Sequence, residues 1–245
     1  MNGIVGVIPA RYASTRLPGK PLADILGKPM IRRVYESAAR ARVLDRLLVA
    51  TDDERIAMVV RAFGGEAVLT SPDHPSGSDR IAEAIRDVRA DIVVNIQGDE
   101  PFVSPTMIEE AVRPLLEDPT LPMSTLMHEI PEESFGDPNV VKVVVNLRGE
   151  ALYFSRSLIP FPRKRDGHRA YEHVGIYAYR AEFLRTFTQL PPSPLERFES
   201  LEQLRVLENG YRLKVVETRA PDYVPLSIDT VEDLERARKL AEKLG

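Results

Sequence analysis

Residues 4–22 read Ile-Val-Gly-Val-Ile-Pro-Ala-Arg-Tyr-Ala-Ser-Thr-Arg-Leu-Pro-Gly-Lys-Pro-Leu, a β-branched run that gives way at Pro9 to a loop crowded with cations. The run at 4–8 reads as a first strand, and outward from it short apolar runs alternate with helical patterns. Helices are predicted over 30–42, 54–63, 78–86 and 107–116, and strands over 47–50, 67–69 and 92–96. This β-α-β-α order predicts an α/β, Rossmann-like fold with a mostly parallel central sheet and helices on both faces. In such sheets ligands sit outside the carboxyl ends of the strands.

From 123 to 179 the pattern changes. Strands at 140–145, 152–154 and 174–179 follow one another without long helices between them, which predicts a mixed strand extension that carries specificity. The proline-rich, basic segment 160–169 reads as a mobile loop. Amphipathic helices at 195–207 and 231–244 close the chain. We expect one domain over 1–245, with about 123–190 embedded in it as a subregion.

Composition removes several classes. Cysteine is absent, so a metal must be held by oxygen or imidazole. Pro9 and Arg11 cut the first apolar stretch far short of a signal or membrane span, and a cytoplasmic protein is expected. A net charge of -4, from 33 basic and 37 acidic side chains, argues against a nucleic-acid surface. An anionic partner must therefore be met by a local basic cluster.

The loop at 9–22 supplies one. Arg11, Arg16, Lys20, the hydroxyls of Ser14 and Thr15, and Gly19 lie at the carboxyl edge of the first strand, where N–H groups and cations can surround a polyphosphate. Its spacing is neither a Walker A loop nor a G-x-G-x-x-G turn. The same residues would also serve as a solvated basic loop whose hydroxyls satisfy their own backbone.

Two aspartates are placed for metal chemistry. Asp99 follows the strand at 92–96 in Gln97-Gly98-Asp99-Glu100-Pro101, with glycine giving the backbone room. Asp229 precedes the last helix. Mg²⁺ takes one or two protein carboxylates with phosphate oxygens and waters, although on the residues alone Asp229 reads first as the cap of that helix. Asp52 and Asp53 read as the start of a helix, favoured there by its dipole. Ser78 is a plausible cap for the helix at 78–86.

Further on, 173–179 alternates, sending Val174, Ile176 and Ala178 to one face and His173, Tyr177 and Tyr179 to the other, with a gap at Gly175. Arg156 ends its strand with a planar fork suited to a carboxylate. On the helix at 195–207, at about 100° per residue, Glu202 and Arg205 fall inside the arc of Leu195, Phe198, Leu201 and Leu204. An i, i+3 ion pair would satisfy both.

Written out, PARYASTRLPGKPL resembles the amino-terminal signature of the CMP-sugar synthetases, and among them the 3-deoxy-manno-octulosonate (Kdo) cytidylyltransferases. The similarity continues through ATDDERI, DHPSGSDRIAE, NIQGDEP, NVVKVV, ALYFSRSLIPF, HVGIYAYR, PSPLERFESLEQLRVLENG and IDTVEDLERAR, nearly the whole chain. The resemblance implies a nucleotidyltransferase that joins CTP to a small acidic sugar, Kdo, releasing pyrophosphate for lipopolysaccharide biosynthesis. It implies Mg²⁺ on Asp99 and Asp229, with Thr230 left as the cap, and a homodimer. Arg11, Arg16 and Lys20 would hold the triphosphate, joined by Ala10, Ser14, Thr15 and Gln97. Ser76, Gly77 and Arg80 would lie beside the base, and Pro75 stands where the family often has glutamine. Gln97, Arg156, His173, Tyr177, Glu202 and Gln203 would meet the sugar. The same chemistry on a related acidic sugar, or CTP sensing without turnover, are the alternatives. A glycosyltransferase is disfavoured because the strand ends in Gln97-Gly98-Asp99 rather than in a D-x-D motif.

Overall fold

The computed structural model describes residues 3–13, 16–164 and 166–244. The chain divides into two compact units, Met1–Glu109 with Ala220–Gly245, and Glu110–Arg219.

The first unit carries the alternating pattern. In order come β1 (Ile4–Ala10), a short hairpin of β2 (Asp24–Ile25) and β3 (Lys28–Pro29), α1 (Met30–Ala38), β4 (Arg46–Thr51), α2 (Glu54–Ala62), β5 (Glu66–Leu69), α3 (Gly77–Ala84) and β6 (Ile92–Asn95). Next is α4 (Pro105–Glu117), within which the boundary between the units falls. Strands run β6-β1-β4-β5, all parallel, with Val7 opposite Leu48 on one side and Asn95 on the other. Ile4, Val5, Val7 and Ile8 of β1 and Ile92, Val93 and Val94 of β6 are all buried, as strands covered on both faces require. Helix α1 buries Met30, Ile31, Val34 and Ala38 on one stripe and stops at Ala38, short of the expected 42. The last helix, α8 (Val231–Leu244), returns to this unit. There Leu234, Ala237 and Ala241 join Ile25, Met30, Leu226 and Ile228 in a buried cluster.

The second unit is mixed, as the change of pattern predicts. It holds β7 (Met123–Ile130), β8 (Lys142–Val145), β9 (Ala151–Ser155), β10 (Ala170–Arg180), α5 (Ala181–Gln189), α6 (Pro194–Glu199), α7 (Leu204–Glu208) and β11 (Lys214–Glu217). β10 pairs antiparallel with β7 and with β8, β8 antiparallel with β9, and β11 parallel with β7. Among the described residues, 156–169 forms a loop without regular structure.

One expected helix is two. The span 195–207 breaks at Ser200, which adopts a left-handed conformation at φ 53°. The cause lies in Glu196. It closes a capping box with Ser193 and also receives Arg205, whose Nε donates to it at 2.8 Å, so the chain must fold back after one and a half turns. The predicted apolar arc is therefore split: Leu201 and Leu204 are buried, whereas Phe198 is 85% exposed. Arg205 lies 3.8 Å from Glu202, and its close partner is Glu196.

Candidate active site

At the carboxyl ends of β1 and β6, segments of the first unit line a cavity of about 460 Å³. The end of β1 brings Pro9 and Ala10, the loop after it Arg11, Arg16, Lys20 and Pro21, and the turn after β6 Gln97, Gly98 and Asp99. The lead into α3 adds His74, Pro75, Ser76, Gly77 and Arg80, and the lead into α8 adds Asp229. Ser14 and Thr15 lie outside the described residues.

The β1 loop is pinned at both ends. Gly19, at φ 69°, donates its N–H to the Tyr12 carbonyl at 3.1 Å and starts a single 3₁₀ turn, Lys20–Leu22; the left-handed backbone there favours glycine. The Arg55 guanidinium stacks 3.4 Å above the centre of the Tyr12 ring, held in turn by both oxygens of Asp53. At the other strand, a Cβ on residue 98 would stand 2.7 Å from the Pro9 carbonyl oxygen. Only glycine lets the β6 turn pass that close to the end of β1.

Lys20 is the hub. Its Nζ donates to Asp99 Oδ2 at 2.8 Å and to Asp229 Oδ1 at 3.1 Å, and Arg16 meets the same Asp229 oxygen at 3.1 Å. The two sequence-distant carboxylates are thus brought together. Their backbones are tied as well, since the Ile228 N–H donates to the Asp99 carbonyl at 3.0 Å. Capping of α8 falls to Thr230, whose Oγ1 accepts from the Asp233 N–H at 3.2 Å, while Asp233 accepts the Thr230 N–H at 3.0 Å. The Asp229 carboxylate is left to face the cations. Among the described residues no three histidine, cysteine or acidic side chains gather into a metal cage; this is a pair of carboxylates.

The cap of α3 is Ser76 rather than the expected Ser78: its Oγ accepts from the Asp79 N–H at 3.3 Å, and Ser78 is buried inside the first turn. Arg80 lines the cavity but is buried, donating to Thr70 Oγ1 at 2.6 Å and to Asp52 Oδ2 at 2.9 Å. Asp52 is therefore an internal partner of Arg80, and Asp53 alone caps α2, accepting from the Arg55 N–H at 2.9 Å. Sequence reasoning assigned nothing to His74, which also lines the cavity and binds Glu83. That bond, followed by the Ser71 N–H, holds the Glu83 carboxyl below its usual range. Its signal lies in the DHPSGSDR stretch, beside Ser76, Gly77 and Arg80.

In the second unit, the antiparallel register of β10 on β7 shifts between Val174 and Tyr177. The offset adds two residues to β10, an even number, so His173 and Tyr177 keep a common face and their ring centres lie 5.3 Å apart. Tyr179 follows at 5.9 Å and is buried at 1% exposure, whereas His173 and Tyr177 are half-buried, so the three form one aromatic row. His173 packs edge-on against Phe154, and burial draws its pKa down to about 3. Thr125 Oγ1 lies 3.0 Å from the Val174 carbonyl, 2.8 Å from the Ile176 carbonyl and 3.0 Å from His173 Nε2. The tautomer protonated at Nε2 lets His173 donate to Thr125 Oγ1 while the hydroxyl proton goes to a carbonyl, which satisfies the most groups. His173 Nδ1 then accepts from the Gln203 amide at 3.5 Å. Burial first, then Tyr179 and Glu202, raise the Tyr177 phenol well above its ordinary pKa.

Arg156 departs from the simple picture of a free fork. Its Nε donates to the Glu199 carbonyl at 2.7 Å and its Nη1 to the Pro138 carbonyl at 2.9 Å. The guanidinium therefore also clamps the turn after α6, beside a second cavity of about 400 Å³ lined by Phe135, Pro138 and Leu158.

With this geometry in view, comparisons with known proteins are informative. The family model described as cytidylyltransferase matches residues 5–218. A 3-deoxy-manno-octulosonate cytidylyltransferase of Syntrophotalea carbinolica is 55% identical over 243 residues, covering 95% of this chain and 96% of that protein. One from Syntrophobacter fumaroxidans is 57% identical over 244 residues, covering 95% and 94%. A solved CMP:2-keto-3-deoxy-manno-octonic acid synthetase complexed with CTP superposes with a TM-score of 0.96 at 47% identity, covering all of both chains.

Proposed function

We propose that this chain, which belongs to the 3-deoxy-manno-octulosonate cytidylyltransferase family, transfers the cytidylyl group of CTP to Kdo, giving CMP-Kdo and pyrophosphate. The observation that carries the reading is the meeting of Arg16 and Lys20 with Asp99 and Asp229 at one cavity beyond the strand ends. That is the donor set a metal-bound polyphosphate requires.

In the reaction the anomeric C2 hydroxyl oxygen of the sugar forms a bond to the α-phosphorus. The bond from that phosphorus to the oxygen bridging the β-phosphate breaks, pyrophosphate leaves with the electron pair, and the hydroxyl proton passes to solvent water. Arg11, Arg16 and Lys20 hold the triphosphate and offset the charge gathering on the leaving group. Ala10 and Gln97 add contacts at the strand ends, and Ser76, Gly77 and Arg80 border the base. Gln97, Arg156, His173, Tyr177, Glu202 and Gln203 receive the sugar. His173, with a pKa of about 3, is neutral and a weak base at pH 7, so it orients the sugar rather than taking its proton. Tyr177 remains a phenol and can donate to a sugar oxygen. Positioning and charge neutralisation supply most of the rate.

The residues suit Mg²⁺. Oxygens of Asp99 and Asp229 already share one cation, the Lys20 ammonium, and Mg²⁺ is held by one or two carboxylates together with phosphate oxygens. When bound there, the ion polarises phosphoryl oxygens and lowers the pKa of the attacking hydroxyl. We further assign a cytoplasmic homodimer serving lipopolysaccharide biosynthesis. Among the described residues no helix is long and apolar enough to cross a membrane, and the exposed Phe161 and Phe198 of the second unit suit a contact between copies.

The test is pyrophosphate release from CTP and Mg²⁺ with Kdo present or absent, against the other nucleoside triphosphates. Release that requires Kdo and prefers CTP is expected. Release with a different acidic sugar and none with Kdo would reassign the acceptor, and CTP binding without release under any sugar would remove the enzymatic reading.

A further inference from the structure

The ammonium of Lys20 stands where the reaction needs a metal ion. Its side chain is 16% exposed, less than either carboxylate it bridges, at 26% for Asp99 and 39% for Asp229. The group is seated within the pair. Together with Arg16 it sets two cations against two carboxylates, so the carboxylate pair is compensated without any ligand. Its reach is also set by the backbone, because the Lys20 N–H donates to the Leu17 carbonyl at 3.1 Å and Pro21 follows directly.

We propose that Lys20 is a placeholder for the divalent cation, so that metal and nucleotide enter together by an exchange of partners. The proposal rests on the nucleotidyl-transfer reading of this cavity. A metal ion arriving alone must displace an ammonium that has nowhere comparable to go. Free CTP arriving alone draws Lys20 and Arg16 to its phosphates and leaves Asp99 and Asp229 facing each other bare. When both arrive, the ammonium passes to the triphosphate and the carboxylates pass to the metal, and every charge keeps a partner. The consequence is positive coupling between metal and nucleotide that belongs to Lys20 itself, in addition to direct metal–phosphate bonds.

Mn²⁺ binding followed by electron paramagnetic resonance, corrected for Mn²⁺ bound by free nucleotide, tests this without any turnover. The wild-type protein alone is expected to bind Mn²⁺ weakly, and to bind it more tightly with CTP. Lys20→Met alone should bind Mn²⁺ at least about fivefold tighter than wild type alone, the low end of typical couplings. Lys20→Arg, which keeps the charge, should stay as weak as wild type, and adding Asp99→Asn to Lys20→Met should abolish the gain. Lys20→Met binding no tighter than wild type, or a gain that survives Asp99→Asn, overturns the placeholder while leaving CTP-dependent Mn²⁺ binding intact. Wild type binding Mn²⁺ equally well with and without CTP overturns it without recourse to a variant. Absence of Mn²⁺ binding in every state, CTP included, removes the metal site and the placeholder with it.

Discussion

The cavity of the first unit and the aromatic row of the second hold their side chains in opposite ways. Around Lys20 the contacts are ionic, made by loops that follow strands, and their partners can be exchanged. Around His173 the contacts are rings and neutral hydrogen bonds made by groups on strands. Charge held on loops suits ligands that bring and remove charge. A neutral, enclosed row suits recognition of shape and hydroxyl direction, where a shifting protonation state would blur the pattern.

This contrast can be broken in three places. The largest effect is expected from Asp99→Asn or Asp229→Asn: pyrophosphate release should fall by at least about 10²–10³-fold, with the cooperative melting transition retained. A variant that keeps its rate would show that the exchangeable charges are not the working ones. Next is Glu196→Ala in the second unit. It strips Arg205, only 8% exposed, of its bidentate partner, and should cost about 3–5 kcal/mol by urea denaturation, while CTP affinity below the transition stays within about twofold. A large loss of CTP affinity would tie the two regions more closely than their separate contacts suggest.

The smallest effect concerns pH. His173 titrates at about 3 when folded, below its ordinary 6.5, so between those values the unfolded chain binds the extra proton. Stability from this group is complete above pH 6.5 and is lost as pH falls toward 3, with a slope of up to about 1.4 kcal/mol per pH unit. Between about pH 6.5 and pH 4.5 the wild type should therefore lose more stability than His173→Gln, measured by thermal melts at each pH. Parallel pH profiles would mean that the imidazole is already solvated.

The same contrast governs what could be read from the sequence. Strand runs at β1, β4 and β6 are mostly apolar, and Gln97-Gly98 marks where the chain leaves β6, whereas β1 runs on through Pro9 to Ala10. The parallel core and the cation-rich edge were therefore legible, and so was Thr230 as the cap of α8 once the resemblance had claimed Asp229. Periodicity failed where a tertiary ion pair overrides it. Ser193-x-x-Glu196 is a local capping-box pattern, but nothing local announces that Glu196 also receives Arg205, and so the break at Ser200 was hidden. The register shift in β10 was equally invisible, though its even count left His173 and Tyr177 on one side. Ser76 took the cap from Ser78 because α3 starts at Gly77, and Arg80 turned inward because its partner Asp52 is distant in sequence.

Asp229, together with Ile228 and Leu234 of the buried cluster, arrives on a segment that rejoins the first unit after all of Glu110–Arg219 has been made. On a translating ribosome, the strands β1, β4 and β6 emerge early and wait, with Asp99 and Lys20 in place but the second carboxylate still unsynthesised. A chain interrupted anywhere in the second unit, or shortly after it, therefore carries the cation-rich loop and Asp99 without the second carboxylate. Synthesis through Asp229 is what brings the carboxylate pair together.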